Sequence, residues 1–452
     1  MFQTVEMPLW VLVLLVAFAA VTFASHFLFP SVRWFFRRRL ERAVAELNKR
    51  LERPIQPFKL ARRHDMIQRL IYDPEVSRAV VIHARNKGVP ENVAFETARR
   101  YAREIVPSFS ASLYFGVAAR LARWLSNTLY DVRLLHRDEA ALGKIDPKAT
   151  VVYVMNHRSN MDYVLVTYLA ADRSALAYAV GEWARIWPLS RLIRAMGAYF
   201  IRRERHGPLY RKVLERYVRL ATDAGVTQAV FPEGGLSLTG ALGNPRLGIL
   251  RYISEARGPD APDVVFVPVA LNYDRVLEDR VLIGARAAGE RRFTARFRVI
   301  AGFVARMVWL RLRGRYRRFG RAAVSFGQPV SLAQSGGNVR ALGRALMGQI
   351  AREMPVLPVP LVAMALERAG GVATQDVLAD RVVALIAGLP SHARPDEPAQ
   401  ELLQAGLAEL QLRHLVQEED QRLTVAPGQE AMIAFYATSI AHLFPGDDAT
   451  AA

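Results

Sequence analysis

The sequence predicts an α/β protein, with a central sheet flanked by helices, an N-terminal transmembrane helix, an N-terminal helical region and a C-terminal helical extension. Three observations carry this expectation. Between residues 132 and 332 short β-branched runs alternate with helical patterns, as in a sheet covered by helices. Residues 31–131 and 333–452 space their apolar residues at helical rather than strand intervals. Residues 8–29 carry no formal charge. The expected organisation is therefore an anchor over 8–29, a helical region over 31–131, an α/β domain over 132–332 and a helical domain over 333–452.

The uncharged run from Pro8 to Phe29 is long enough to cross a bilayer at about 1.5 Å per residue. No Lys or Arg precedes it, whereas Arg33, Arg37, Arg38, Arg39 and Arg42 follow it. That asymmetry predicts a single-pass membrane protein with its large C-terminal portion on the cytoplasmic side. A basic amphipathic segment follows from Arg37 to Leu51, until Pro54 and Pro57 interrupt it. Four more helical segments are expected over 66–72, 76–87, 92–105 and 110–129, punctuated by Asp73-Pro74, Gly88-Val89-Pro90 and Pro107. Candidate strands then fall at 132–135, 151–154, 175–180, 198–201, 228–231, 264–271 and 322–326, with helices such as 182–195 and 209–224 between them. Beyond Asn338 only helices are expected, at 339–353, 360–369, 374–389, 401–412 and 429–443, with a linker over 391–398.

With 61 Lys+Arg against 42 Asp+Glu the chain carries a formal charge of +19, which favours anionic partners. It has no cysteine, so disulfides, thiolate metal sites and a thiol nucleophile are excluded. No zinc finger, RNA-binding sheet motif or heptad zipper supports a nucleic-acid partner. No phosphate-binding loop, dinucleotide fingerprint or His-Glu-x-x-His zinc motif is present, and no metal or resident cofactor is expected. The remaining histidines lack metal-ligand spacing. Residues 291–321 interleave arginines with Phe297, Phe303 and Trp309, and 294–312 reads as an interfacial helix on anionic lipid or as a solvated basic helix.

The stretch Val151 to Val166 concentrates the chemistry. A short apolar strand ends at Met155, a polar turn holds His157, and a helix is expected to begin near Met161 with Asn160 as its cap. On one helix His157 and Asp162 would lie about 140° apart and could not meet. With His157 in the turn, the carboxylate can receive one imidazole N–H, fixing the tautomer and raising the basicity of the other nitrogen. Without a protein nucleophile, such a pair suits a general base that deprotonates a substrate hydroxyl directly. Three more loops follow strands. Arg202 and Arg203 form either a phosphate clamp or a solvated basic edge. Phe231 to Gly240 brings a carboxylate, Glu233, beside the Gly234-Gly235 pair, where backbone can approach a ligand. Val267 to Arg275 is an apolar strand that ends in a polar cluster.

Together, Asn156-His157-Arg158-Ser159-Asn160-Met161-Asp162, Gly197 to Arg203, Phe231 to Gly240 and Val267 to Arg275 resemble the four ordered blocks of the glycerolipid acyltransferase superfamily. The branch resembled is the membrane-bound glycerol-3-phosphate acyltransferases and their dihydroxyacetone-phosphate acyltransferase relatives. Residues 70–76 and 433–444 extend the likeness, which covers roughly 68–444. The resemblance implies acyl transfer from acyl-CoA or acyl-carrier protein to the sn-1 hydroxyl of glycerol 3-phosphate. It implies His157 as base and Asp162 as its orienting partner. It places Arg158, Ser159, Arg202, Arg203, Glu233, Gly234, Gly235 and Ser237 at the acceptor, with Pro268 and Tyr273 in the pocket wall. The family loop has arginines where this chain has Leu236 and Leu238. Arg203, Arg246 and Arg251 are candidates to replace them, and Arg246 joins the substrate-binding set. The substitutions leave dihydroxyacetone phosphate, a lysophospholipid or another alcohol as alternative acceptors. A non-catalytic lipid-binding membrane protein is the reading from a different class.

Overall fold

The computed structural model of the chain describes residues 8–170, 174–181, 189–202, 207–255, 261–289, 309, 313 and 316–444, with the side chains of 23–37 and 40 left out. The described residues up to Ile55, with Ser174, form one compact unit, and the other described residues form a second. In the first, helix α1 runs without a break from Leu9 to Arg50. It ends where Asn48 Oδ1 accepts the Ile55 N–H, at 2.9 Å. Among the described residues no helix is long and apolar enough to cross a membrane, and part of the anchor expected over 8–29 lies outside the described side chains. The interfacial helix expected over 294–312 lies almost wholly outside the described residues, as does Arg203.

The second unit begins with helices α2 (Arg63–Ile71), α3 (Pro74–Lys87), α4 (Glu91–Ile105) and α5 (Ala119–Leu129). The Asp73-Pro74 pair starts α3 because the Asp73 carboxylate accepts the Glu75 N–H at 2.9 Å and Pro74 needs no donor there. Gly88 stops it in the left-handed conformation, φ +62°. Asp73 also accepts two bonds from Arg216, at 2.7 and 3.1 Å, tying α3 to helix α7 (Pro208–Asp223). Ala94, Ala98 and Ala102, one per turn of α4, are buried and let neighbouring helices approach closely.

Eight strands make the main sheet: β1 (Asp131–Arg137), β2 (Thr150–Met155), β3 (Ala177–Val180), β4 (Tyr199–Phe200), β5 (Gln228–Val230), β6 (Val264–Tyr273), β7 (Arg321–Phe326) and β8 (Val330–Ser331). Their order is β1-β7-β6-β2-β5-β3-β4, with β8 beside β6. β2 and β6 are parallel, as are β2 with β5, β5 with β3, and β3 with β4. β7 and β8 run antiparallel to β6. β6 is buried along its whole length, which explains its unbroken apolar sequence. Pro268 sits in β6 between the residues paired with β8 and those paired with β7, where a missing N–H breaks no bond of the outer ladder. It is therefore part of the sheet, and it is not among the residues lining the cavity beside His157. The parallel strands β2, β4, β5 and β6 all end at one edge of the sheet, where loops of such folds collect ligands.

The C-terminal region holds α10 (Val339–Arg352), α11 (Pro358–Arg368), α12 (Gln375–Gly388), α13 (Ala399–Leu412) and α14 (Glu430–Ala441), after α6 (Met161–Ala170), α8 (Gly248–Ser254) and α9 (Asp279–Ala287) earlier in the chain. It is not all helical as the sequence suggested. A three-stranded antiparallel sheet joins β9 (Val372–Thr374), β10 (Val416–Glu419) and β11 (Arg422–Val425). The β10–β11 turn places Asp420 and Gln421 at φ 47° and 60°, the paired positive values of a tight hairpin. Pro358 to Leu366, the body of α11, is buried on every side. Gly406 of α13 lies against it, and a Cβ there would stand 2.5 Å from Val362 Cγ2 and 2.6 Å from the Pro358 carbonyl. Because one obstacle is backbone, Gly406→Ala should lower stability by about 1–3 kcal/mol, read as a lower thermal midpoint. An unchanged midpoint would show that these helices separate freely.

Candidate active site

The site grows from the end of β2. Asn156 turns its side-chain amide onto β6 and makes the pair of bonds a strand residue would make, Nδ2 to the Leu271 carbonyl at 2.9 Å and Oδ1 from the Leu271 N–H at 2.8 Å. This prolongs the β2–β6 ladder by one residue and fixes where the next residue leaves the sheet. That residue is His157. Its Nδ1 lies 2.8 Å from Asp162 Oδ2, at the first turn of α6. The same oxygen accepts the backbone N–H groups of Arg158 at 2.7 Å and Ser159 at 3.0 Å. The other, Oδ1, accepts the Tyr273 hydroxyl at 2.6 Å. Nδ1 is thus the ring nitrogen that meets the carboxylate, and Nε2 is the one turned away from it.

Tyr273 thus stands behind the pair, and its place in a pocket wall becomes a place in the support of Asp162. Burial, and then the Asp162 charge, push its hydroxyl well above the ordinary tyrosine range, which keeps it a donor. The imidazole lies over Phe231, ring centroids 4.3 Å apart, and meets Tyr163 edge-on at 5.4 Å. Ser159 is buried and gives its hydroxyl to Glu278 at 2.8 Å. Asn160 gives its side-chain amide to the same carboxylate at 3.0 Å. It is Ser159 Oγ, rather than the expected Asn160, that accepts the Met161 N–H at the start of α6. Burial raises the Glu278 carboxyl while the Ser159 and Asn160 donors oppose it.

Arg158 points away from the cavity. It is 2% exposed, and its guanidinium donates to the carbonyls of Gly240 and of Ser439 on α14, the latter at 3.1 Å. Glu233 also faces inward. One oxygen accepts the His157 N–H and the other the Gly243 N–H, each at 2.8 Å. Burial raises its carboxyl and these two N–H groups pull it down. Ser237 donates its N–H to the His157 carbonyl at 3.0 Å and its hydroxyl to the Ala241 carbonyl at 2.7 Å. Glu233 and Ser237 therefore grip the His157 turn from both sides. Arg158, Ser159, Glu233 and Ser237 frame the site, and the expected contact with a bound acceptor does not fit where their side chains lie.

A cavity of about 200 Å³ opens beside His157, lined by Tyr163, Phe231, Gly234, Arg202 and Arg246 among others. Arg202 gives Nε and Nη2 to Glu104 of α4 at 3.0 and 3.1 Å. Arg246 makes no ion pair among the described residues, and its backbone N–H donates to the Pro232 carbonyl at 2.7 Å. Gly234 takes φ +69° and lies so close that a Cβ would stand 2.7 Å from Arg246 Cδ. Gly235 adjoins it in the same turn, half-buried. Leu236 and Leu238 pack against the hydrophobic core. Arg251, the other candidate cation, pairs with Glu255 at 3.1 Å. Among the described residues no group of three or more His, Asp or Glu is placed to hold a metal ion.

Residues 137–272 match the family model described as Acyltransferase, and residues 308–446 match that of the Glycerol-3-phosphate acyltransferase C-terminal region. The chain is thus similar to acyltransferases over its middle part and to the glycerol-3-phosphate acyltransferases over its C-terminal part. It is 27% identical over 427 residues to a glycerol-3-phosphate acyltransferase of Pseudomonas putida (strain GB-1), covering 85% of this chain and 49% of that protein. A glycerol-3-phosphate acyltransferase of Shewanella amazonensis is 33% identical over 294 residues, covering 60% of this chain and 33% of the relative. The chain thus spans about half the length, or less, of the curated relatives it matches. The solved 1-acyl-sn-glycerophosphate acyltransferase of Thermotoga maritima is similar with a TM-score of 0.34 and 16% identity, over 56% of this chain and 79% of that one. The match to the C-terminal region accords with the bond from Arg158 to α14. Arg158→Ala should lower stability by roughly 2–4 kcal/mol, from two buried carbonyls left unpaired and a cavity. Arg158→Lys should recover part of that loss, and denaturant melts in which all three chains coincide would refute the role.

Proposed function

We propose that the chain transfers a fatty acyl group from an acyl-CoA or acyl-carrier-protein thioester to the sn-1 hydroxyl of glycerol 3-phosphate, the opening step of phospholipid synthesis. The observation that carries this reading is His157, with Nδ1 2.8 Å from Asp162 and its ring on a cavity that two arginines also line. Nε2 takes the hydroxyl proton as the alcohol oxygen attacks the thioester carbonyl. The tetrahedral intermediate then collapses, the C–S bond breaks, and the imidazolium returns the proton to the departing thiolate. Phe231 and Tyr163 hold the ring at one angle, and Asp162 stabilises its charged form. The scheme needs no resident cofactor or metal.

Phosphate recognition falls to Arg246, which stands in the loop where the family arginines are replaced by Leu236 and Leu238. The turn at Gly234 and Gly235 assists it, with Arg202, which Glu104, Tyr101 and Tyr210 hold at the cavity, as the second cation. The arginines that line the cavity beside His157 suit a phosphorylated acceptor. Dihydroxyacetone phosphate fits the same space and is the second reading. A silent lipid-binding protein would not need four donors on one buried carboxylate. We place the protein at a membrane through the uncharged run Pro8–Phe29, with the catalytic part on the cytoplasmic side, by the arginines that follow that run.

His157→Ala should lower kcat by about 10²–10⁴-fold with an unaltered circular-dichroism spectrum. Full turnover in that variant would remove the base assignment. Arg246→Ala should raise the KM for glycerol 3-phosphate about 10–100-fold with a smaller change in kcat, the loss expected for a charge-assisted bond. A panel of acceptors with one labelled acyl-CoA tests the substrate. Faster acylation of a lysophospholipid than of glycerol 3-phosphate would overturn it.

A further inference from the structure

Helix α5 and the π-turn before it expose an apolar stripe that the reaction does not use. Val117, Leu121 and Trp124 are 52%, 49% and 51% exposed, three or four residues apart, and so share one side of the helix. Their opposite neighbours Ala118, Ala122, Ser126 and Leu129 are buried, so the exposed stripe is a second face rather than a loose core. Arg120 and Arg123 flank it. An open groove of about 680 Å³ runs beside Trp124 and is completed by Asn127, Tyr316 and Arg318. The Tyr316 hydroxyl donates to the Thr128 carbonyl at 2.7 Å, fastening the arginine-rich run to the end of α5. Trp309, earlier in that run, is 48% exposed and carries the Arg313 guanidinium 4.3 Å above its ring.

We infer that this face of α5 lies in the interface of a bilayer bearing anionic phosphate headgroups, as a contact separate from the N-terminal helix. The charge around it selects that occupant. Residues 105–130 contain no Asp or Glu, and neither do residues 316–352, which carry Arg317 and Arg318 beside Tyr316. Arginine with no acid alternating beside it suits a continuous sheet of phosphates, whereas a protein surface presents charges of both signs. Trp124 offers the amphipathic ring favoured at headgroup depth, and arginine stems can lie along the apolar stripe while their heads reach phosphate. The consequence concerns the reaction. Helix α5 packs along α6, whose first turn carries Asp162, so a bilayer on the outer side of α5 is separated from the His157–Asp162 pair by one layer of helix. Three apolar side chains bind weakly alone, so the contact orients the enzyme and a second signal holds it there.

The inference rests on the membrane placement proposed above, and the absence of cysteine allows the two to be tested apart. Leu121→Cys, Trp124→Cys and, on the exposed side of α12, Val383→Cys are each labelled with an environment-sensitive fluorophore in the full chain. Each is reconstituted into phosphatidylcholine–phosphatidylglycerol vesicles containing a doxyl-lipid quencher. Flotation reports the anchor and quenching reports the face. The expected result is a blue shift and at least about a twofold loss of emission at 121 and 124, with little change at 383. Arg120→Glu with Arg123→Glu should reduce the quenching without reducing flotation. Floating protein with an unquenched label at 121 and 124 overturns the inference and leaves the anchor standing. Chain that does not float overturns both. A label at 121 already blue-shifted before lipid is added means that protein covers the stripe, and also overturns it.

Discussion

Asp162 accepts from His157, from two successive backbone N–H groups and from Tyr273, all in a place that water does not reach. Such a carboxylate cannot be moved without orphaning several donors at once, and each orphan is costly in an apolar setting. The constraint therefore acts in both directions. The turn from His157 to Ser159 has to wrap the carboxylate, so the imidazole is held by its backbone as well as by its own hydrogen bond. The tyrosine that completes the shell comes from β6, so the pair is registered to the sheet and not only to α6. Asn156 does the same one residue earlier, by copying a strand's bonds with a side chain. The imidazole is thus positioned by the sheet's own ladder.

The C-terminal helices belong to this frame. Arg158 leaves the catalytic turn in the opposite direction from His157 and ends on the carbonyls of Gly240 and Ser439. Asn272, beside Tyr273, gives its amide to the Pro355 carbonyl at 2.9 Å. Asp274 accepts the N–H of Val359 at the start of α11, at 2.8 Å, and burial pushes its carboxyl up to about 6. Arg413, just after α13, meets Asp279 at the start of α9 and the hydroxyl of Tyr436. Four of these bonds, Arg158 to Ser439, Asn272 to Pro355, Val359 to Asp274 and Arg413 to Asp279, join the C-terminal edge of the sheet and the segments after it to the last hundred residues. Removing that region would strip partners from buried charges, and a buried charge without its partner is far worse than none.

The parts of the site legible in the sequence were those where identity and spacing determine chemistry. His157 and Asp162 were legible because no helix could bring them together and a turn could. The strands β2 and β6 were legible because full burial writes an unbroken apolar run. What was missed depended on direction. Arg158 adjoins the base in sequence, yet successive residues of an extended turn point to opposite sides, so adjacency assigned it to the cavity and geometry sends it to α14. Tyr273 and Pro268 share a strand with the site's wall, and one supports Asp162 while the other belongs to the ladder. Asn156 and Glu278 carry no spacing signal, since their partners are 115 and 118–119 residues away. The strands β9, β10 and β11 are three or four residues long, too short for a period of two to outweigh the helical segments around them.

The replaced arginines follow from the same geometry. Glu233 spends both oxygens on backbone N–H groups and Ser237 spends its own N–H and hydroxyl on carbonyls, so the loop between them keeps its path without help from neighbouring charges. Leu236 and Leu238 can then turn into the core and add apolar contact, because the loop's shape does not depend on what those two positions present. In the proposed reaction, charge for the acceptor's phosphate comes from a residue whose backbone is tied to this loop but whose side chain is not used by it. Arg246 meets that condition: its N–H is fixed on Pro232 and its guanidinium lies against Gly234, where any side chain on the glycine would displace it. The Gly-Gly pair and the arginine are in this sense one feature, a bare turn that gives a cation room beside His157.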